Sequence, residues 1–292
     1  MTKAAPAPSA PVQLVVTNPA PISHYSLFKF SSLKSAPFDV EEYSRLKFGS
    51  DRVAKKFGRQ LADAFFHEYY QILTIQKCVV IPAPSTTVPV AATLLANHFF
   101  NRLNARLANV GHLPVEMTHV HRDMTYNNNY ADLQKEERQR LLAGDAQYFN
   151  RDFVKGKHII FIDDVRITGS HEEKLESVLK SLKLTNARTY VSFCRYTGTN
   201  PSIEGKLNHC YIRDAKDLVR MAHEHGHVMT TRAIRLLLEY DPNKIDELLQ
   251  QAPDVFLESA YHAAIVKGYN LVPEYVQSFR VLNTYAKRIS SS

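Results

Sequence analysis

The chain has 292 residues, 45% of them hydrophobic and 22% charged, a balance that supports at least one full core and excludes a wholly disordered chain. A formal charge of +7 favours an anionic partner, but the basic residues are dispersed, without the stripe and recognition element that nucleic-acid binding needs. No apolar run approaches the roughly 18 residues that cross a membrane, the first residues show no signal-peptide core, and Cys78, Cys194 and Cys210 are too scattered for a disulfide framework, so free thiols and a cytoplasmic location are expected.

Residues 1–22 carry five of the fourteen prolines amid Ala, Ser and Thr and read as a flexible tail. From Asp51, apolar residues at Val53, Phe57, Leu61 and Phe65 predict a helix capped by Ser50 or Asp51. A buried strand is expected at Lys77 to Ile81. The turn PAPSTTVP then leads to a helix through Ala91, Leu95, Phe99, Leu103 and Leu107, stopped by Gly111. Val115 to Val120 reads as a strand, and Asp123 to Asn150 as a polar insertion of functional-loop type, with an amphipathic piece around Leu133 to Leu142.

The continuous apolar run His158 to Asp163 has the character of a strand buried on both faces of a parallel sheet. A helix over Ser170 to Leu182 and a strand over Arg188 to Tyr196 follow. After Asp214 the pattern is wholly helical, with apolar faces at Leu236 to Leu238, Ile245 to Leu249, Val255 to Ala264 and Tyr275 to Tyr285. The expected fold class is α/β: a doubly wound, mostly parallel sheet over 39–213 with an α-helical C-terminal extension over 214–287. That extension serves either as a subdomain packed on the sheet or as a dimerisation element.

Ligands of open α/β sheets bind beyond the carboxyl ends of the strands. There the sequence reads IDDVRITGSHEE, Ile162 to Glu173. Asp163 and Asp164 are adjacent acceptors suited to sugar hydroxyls or a hydrated Mg²⁺. Thr168, Gly169 and Ser170 place small residues and free N–H groups at a helix start, the arrangement that holds a phosphate, with Gly169 free to take a positive φ. Ser170 and Glu173 have capping-box spacing, which sets the helix start at Ser170. The same string is also ordinary chemistry for a strand turning into a helix. A second motif, His223, Glu224 and His227, spells the H-E-x-x-H of zinc peptidases, but Gly226 falls inside the helix that must hold both ligands and reads better as a residue past a helix end.

IDDVRITGS closely resembles the phosphoribosyl pyrophosphate motif of type I phosphoribosyltransferases, in which four apolar residues precede two acids and a Thr-Gly turn. The resemblance implies that Asp163 and Asp164 are the catalytic pair at the ribose hydroxyls. It also implies that Val165, Arg166, Ile167, Thr168, Gly169 and Ser170 wrap the 5'-phosphate, with Arg166 standing where many members have a small or apolar residue. Together with YSRLKFGS (Tyr43 to Ser50), IPAPSTTVPVAA (Ile81 to Ala92) and the helical tail, the chain looks like the phosphoribosyltransferases of bacterial tellurium-resistance and stress-response gene clusters.

In such enzymes Ser85, Thr86 and Thr87 fall in the pyrophosphate loop; the alternative is a turn capping the next helix. This loop lacks the glycine pair and basic residue of purine-type enzymes, and Arg45 and Lys47 are the nearest cations to replace the charge. The implied activity is transfer of a phosphoribosyl group from its pyrophosphate to a nitrogen nucleophile, or the reverse cleavage of a nucleotide-like compound. Mg²⁺ is expected as cofactor, held mainly by the ligand with Asp163 and Asp164 as candidate ligands. Tyr126 and Tyr130 are lid candidates, and a homodimer is one use of the helical extension. The alternatives are a nucleotide-sensing protein on the same fold and, remotely, the zinc peptidase.

Overall fold

The computed structural model describes residues 21–122, 147–148, 150–224 and 226–290. The central sheet has five parallel strands in the order β1 (Ile22–Phe30), β7 (Arg188–Tyr196), β6 (His158–Arg166), β2 (Cys78–Pro82) and β3 (Glu116–Met117). A small antiparallel pair, β4 (His121–Arg122) and β5 (Gln147–Tyr148), stands apart from it. The helices in chain order are α1 (Val40–Lys47), α2 (Asp51–Glu68), α3 (Tyr70–Ile75), α4 (Ala91–Asn109), α5 (Arg151–Val154), α6 (Ser170–Ser181) and α7 (Ile203–Asn208). They are followed by α8 (Ala215–Ala222), α9 (Thr231–Leu238), α10 (Ile245–Leu249), α11 (Asp254–Val266) and α12 (Val276–Ser290).

Alternation along the inner strands accounts for the two covered faces. Val80, Ile160, Ile162 and Phe193 pack with Phe57 and Leu61 of α2 and Leu95 and Phe99 of α4. The intervening Val79, Ile81, Ile159, Phe161 and Tyr190 pack with Leu175 and Leu179 of α6. The sheet is therefore doubly wound, as the alternating pattern implied. The α2–α4 crossing depends on Gly58: a Cβ there falls 2.7 Å from the Leu95 carbonyl oxygen and 2.9 Å from the Phe99 nitrogen, so the helices approach backbone to backbone.

The C-terminal helices form a third core around Leu218, Ile234, Leu237, Leu249, Phe256 and Leu282, into which Phe48 and Val88 insert from the α/β unit. A short clamp fastens the two. Gly49, at φ +102°, accepts a hydrogen bond from Val228 N at 2.8 Å, Ser50 bridges to His227, and Thr231 N donates to Pro89 O at 3.0 Å. A Cβ on Gly49 falls 1.9 Å from the Val228 carbonyl oxygen, so only glycine permits this approach.

Four features differ from the sequence reading, the first being that the strand expected over Val115 to Val120 pairs with β2 only at Glu116–Met117. The edge strand β1, which begins at Ile22, the last residue of the expected tail, and ends before the 39–213 range, pairs along its length with β7. The strand expected to stop at Asp163 runs to Arg166, because Val165 and Arg166 stay paired with Cys194 and Arg195. Helix α6 does begin at Ser170, but Gly169, not Ser170, is its N-cap, and no side chain caps it. The three cysteines are free, Cys78 and Cys194 buried and Cys210 half-buried.

Candidate functional site

Asp163 and Asp164 are adjacent residues in the C-terminal half of β6 and so point to opposite faces. Asp164 is buried against the α1 side. Its Oδ2 accepts from the Tyr43 hydroxyl and, at 2.7 Å, from Lys47 Nζ. Tyr43 and Lys47 are four residues apart on α1, hence on one helix face. The side chains of Lys47 and Asp164 are only 10% and 6% exposed, so this is a buried ion pair. Burial alone raises the Asp164 pKa, but the Lys47 ammonium and the Tyr43 hydroxyl outweigh it and hold the carboxyl below its ordinary value.

Asp163 faces the open side. Its Oδ1 accepts the Asp164 backbone N–H at 2.8 Å, and its Oδ2 lies 3.0 Å from His171 Nδ1. Burial and the neighbouring Asp164 push its pKa up against the opposing pull of His171. The hydrogen bond and charge of Asp163 in turn raise the pKa of His171. The adjacent acids are thus inequivalent: Asp164 is fixed within the chain, and Asp163 lies with an exposed imidazole at the mouth of the site.

The loop after β6 has the shape expected of an anion cradle. Gly169 sits at φ +88°, and Thr168 Oγ1 accepts from Ser170 N at 3.4 Å. Arg166 folds back beneath the turn, its Nε 2.6 Å from Glu172 Oε1, and Glu172 also meets His24 Nε2 of β1 at 3.0 Å. A Cβ at Gly169 would come within 3.4 Å of Arg166 Nη2. Val165 is buried in the core and Ile167 packs against it, so these two anchor the loop.

Beside the acids opens a cleft of about 440 Å³ between the sheet and the C-terminal helices. Lys47, Asp163, Asp164 and His171 form its floor, and α9 forms its far wall. The wall residues Arg232, Arg235, Leu236 and Glu239 recur at helical spacing, opposite the buried stripe Ala233, Ile234, Leu237 and Leu238. The 83–90 loop enters the lining through Ala83, Pro84 and Val90. Ser85 Oγ accepts from Thr93 Oγ1 at 3.3 Å, and Thr86 Oγ1 accepts from Lys267 Nζ at 3.0 Å. Arg45 turns away, pairing with Glu224 at 2.7 Å and stacking on Tyr211.

Tyr126 and Tyr130 lie outside the described residues. The H-E-x-x-H string does not form a zinc helix: α8 ends at Ala222, His223 Nε2 lies 2.8 Å from Gln251 O, and His227 Nε2 lies 3.0 Å from Phe48 O. Gly226, at φ +82°, breaks the chain between the two histidines. Among the described residues no cluster of three or more metal-ligating side chains occurs. No described helix is long and apolar enough to cross a membrane. Sequence reasoning missed Tyr43, His171, Lys174 and Arg232. Only the four-residue spacing of Tyr43 and Lys47 offered a local signal.

The family model described as PRTase ComF-like matches residues 22–282. Among solved structures, the chain is similar to the hypoxanthine-guanine phosphoribosyltransferase of Schistosoma mansoni in complex with IMP, at 11% identity over 51% of this chain and 68% of that one, with a TM-score of 0.29. It is also similar to a hypoxanthine phosphoribosyltransferase of Staphylococcus aureus, at 7% identity over 48% of this chain and 73% of that one, with a TM-score of 0.30. No curated protein matches.

Proposed function

Since the chain belongs to the PRTase ComF-like family, we propose that it transfers a 5-phosphoribosyl group between pyrophosphate and a nitrogen atom of a nucleotide-like compound. One observation carries the reading: Asp163 stands three residues before the end of β6, between a glycine-turned loop at a helix start and a ligand-sized cleft. A sugar placed over Asp163 puts its 5'-phosphate on the backbone N–H groups of the Arg166 to Ser170 loop and its anomeric carbon toward the cleft.

In this mechanism Asp163 orients the ribose hydroxyls, and Asp164 works from below, holding Lys47 at the floor. As the bond to the anomeric carbon loosens, the sugar gains oxocarbenium-like charge, which the Asp163 carboxylate stabilises. Water must be kept out, and the α9 wall covers one side of the cleft. The insertion Asp123 to Asn150, with Tyr126 and Tyr130, is the lid in this reading. Mg²⁺ fits as a cation brought in on the donor: Asp164 is already occupied by Tyr43 and Lys47, which leaves Asp163 as the carboxylate within reach. When bound, it would neutralise the leaving pyrophosphate. Ser85, Thr86 and Thr87 form the pyrophosphate loop in this scheme: the hydroxyl oxygens of Ser85 and Thr86 accept from Thr93 Oγ1 and Lys267 Nζ, which leaves the proton of each to donate to a phosphate oxygen.

The division into a tail at 1–22, a phosphoribosyltransferase unit and a helical subdomain at 214–287 belongs to the same proposal. So do a cytoplasmic location, a homodimer, and kinship with the tellurium-resistance group, whose cell extracts are the first source of acceptors to try. The test is incubation with labelled phosphoribosyl pyrophosphate, Mg²⁺ and such extracts, followed by mass spectrometry of products. A metal-dependent nucleotide product is expected; no donor consumption with any extract overturns the enzyme. A sensor reading draws on the internal neutralisation of Lys47 and Arg166 by Asp164 and Glu172. Calorimetric binding of a nucleotide without turnover would select it.

A further inference from the structure

The outward stripe of α9 is built unlike an ordinary solvent face. Arg232 lies exposed in the first turn of the helix, at the positive end of its dipole, and that turn contains no acid to offset it. Across the cleft, α6 presents Lys174. The other charges of the lining have partners within the chain: Lys47 meets Asp164, His171 meets Asp163 and Arg235 meets Glu239. Neither Lys174 nor Arg232 forms an ion pair with a carboxylate among the described residues; Arg232 acts on the buried Asp164 only through its charge, which helps Lys47 hold that carboxyl low, and Glu204 also lines the cleft. The 83–90 loop brings no cation of its own into the cleft.

We propose that Arg232 and Lys174 form a second anion seat, separate from the Arg166 to Ser170 loop, so that what fills the cleft is anionic at both ends. This rests on the phosphoribosyl reading for the first seat alone. The two seats flank Asp163 and Asp164, which line the loop-side pocket and the cleft alike. A guanidinium at the second seat suits a planar or forked oxyanion, either the pyrophosphate of the donor or a carboxylate on the acceptor. The C-terminal subdomain is then a part of the binding site and supplies the charge that the 83–90 loop lacks.

Calorimetry of the full chain tests this with three probes: ribose 5-phosphate for the loop, and inorganic pyrophosphate and nicotinate for the two sources of the second anion. Arg232→Ala and Lys174→Ala should each weaken pyrophosphate or nicotinate at least tenfold and leave ribose 5-phosphate within twofold. The probe that responds identifies the source. Gly169→Val should do the reverse, and pyrophosphate or nicotinate should still bind protein saturated with ribose 5-phosphate. Unchanged affinity of both probes in the Arg232 and Lys174 variants, or failure of both to bind the parent chain, overturns the second seat. Failure of ribose 5-phosphate alone to bind overturns the phosphoribosyl reading and leaves the second seat standing.

Discussion

Replacing Lys47 by Met removes the cation from a buried pair while roughly keeping the volume of the stem. Asp164 is then left with the Tyr43 hydroxyl but no opposite charge at 2.7 Å, in a place where its side chain is 6% exposed. Breaking a buried ion pair from one side typically costs about 3 to 5 kcal/mol, because the orphaned charge keeps its full desolvation penalty. Urea denaturation at pH 7 should show a loss of that size. The double variant Lys47→Met with Asp164→Asn removes the orphaned charge as well and should recover more than half of it. The pH dependence has a definite sign. The lowered Asp164 pKa of the parent contributes stability that is present above the unfolded carboxyl pKa, about 3.9, and is lost as pH falls through the folded value. In Lys47→Met the same carboxyl is penalised for ionising, so the gap between variant and parent should narrow as pH falls from 7 toward 4. A gap that stays constant with pH, or a double variant as unstable as the sum of the single ones, would refute the assignment of the cost to an orphaned buried charge.

Gly169→Val places a β-branched residue at φ +88° and should fold with a loss of about 1 to 3 kcal/mol, while crystals grown in sulfate, occupied at the loop in the parent, show no anion there. The His171 ring should titrate above its ordinary value of about 6.5 by NMR, and Asp163→Asn should bring it back down. Because a raised histidine pKa adds stability that is complete below the unfolded value and fades as pH rises through the folded one, acidification from pH 8 to 6 should stabilise the parent slightly more than Asp163→Asn. The side chain is 68% exposed, which keeps the effect small. Gly58→Ala should lower stability by about 1 to 3 kcal/mol in thermal denaturation, since its Cβ meets the Leu95 oxygen and Phe99 nitrogen of α4.

The parts of the molecule legible in the sequence are those governed by short-range periodicity. The helices around Phe57 and Leu95, the inner strands at Val80 and Ile160 and the turn at Gly169 all follow from spacing within one element. Strand β1 was missed because its pattern, ISHYSLFKF, gains meaning only from β7, some 166 positions away along the chain. Asp163 and Asp164 were read as equivalents for a similar reason. Their difference comes from Tyr43 and Lys47 on a distant helix and from His171 on the far side of the turn. The wall at Arg232 was invisible as well: an amphipathic helix announces its buried stripe, but nothing local tells whether its outer stripe meets water or a cleft.

The clamp between Gly49 and Val228 bears on the order of events during synthesis. Chains emerge from the ribosome N-terminus first, at roughly 5 to 20 residues per second. Lys47 and Phe48 therefore appear early, but Val228, Thr231 and the α9 wall follow some 180 residues later, a delay of about 10 to 40 seconds at those rates. Throughout that interval Phe48 lacks its native burial, and the acids of β6, once made, border a groove with one side missing. A nascent chain stalled before residue 228 should accordingly expose an apolar side chain to chaperones and have no enclosed cleft, however complete its sheet.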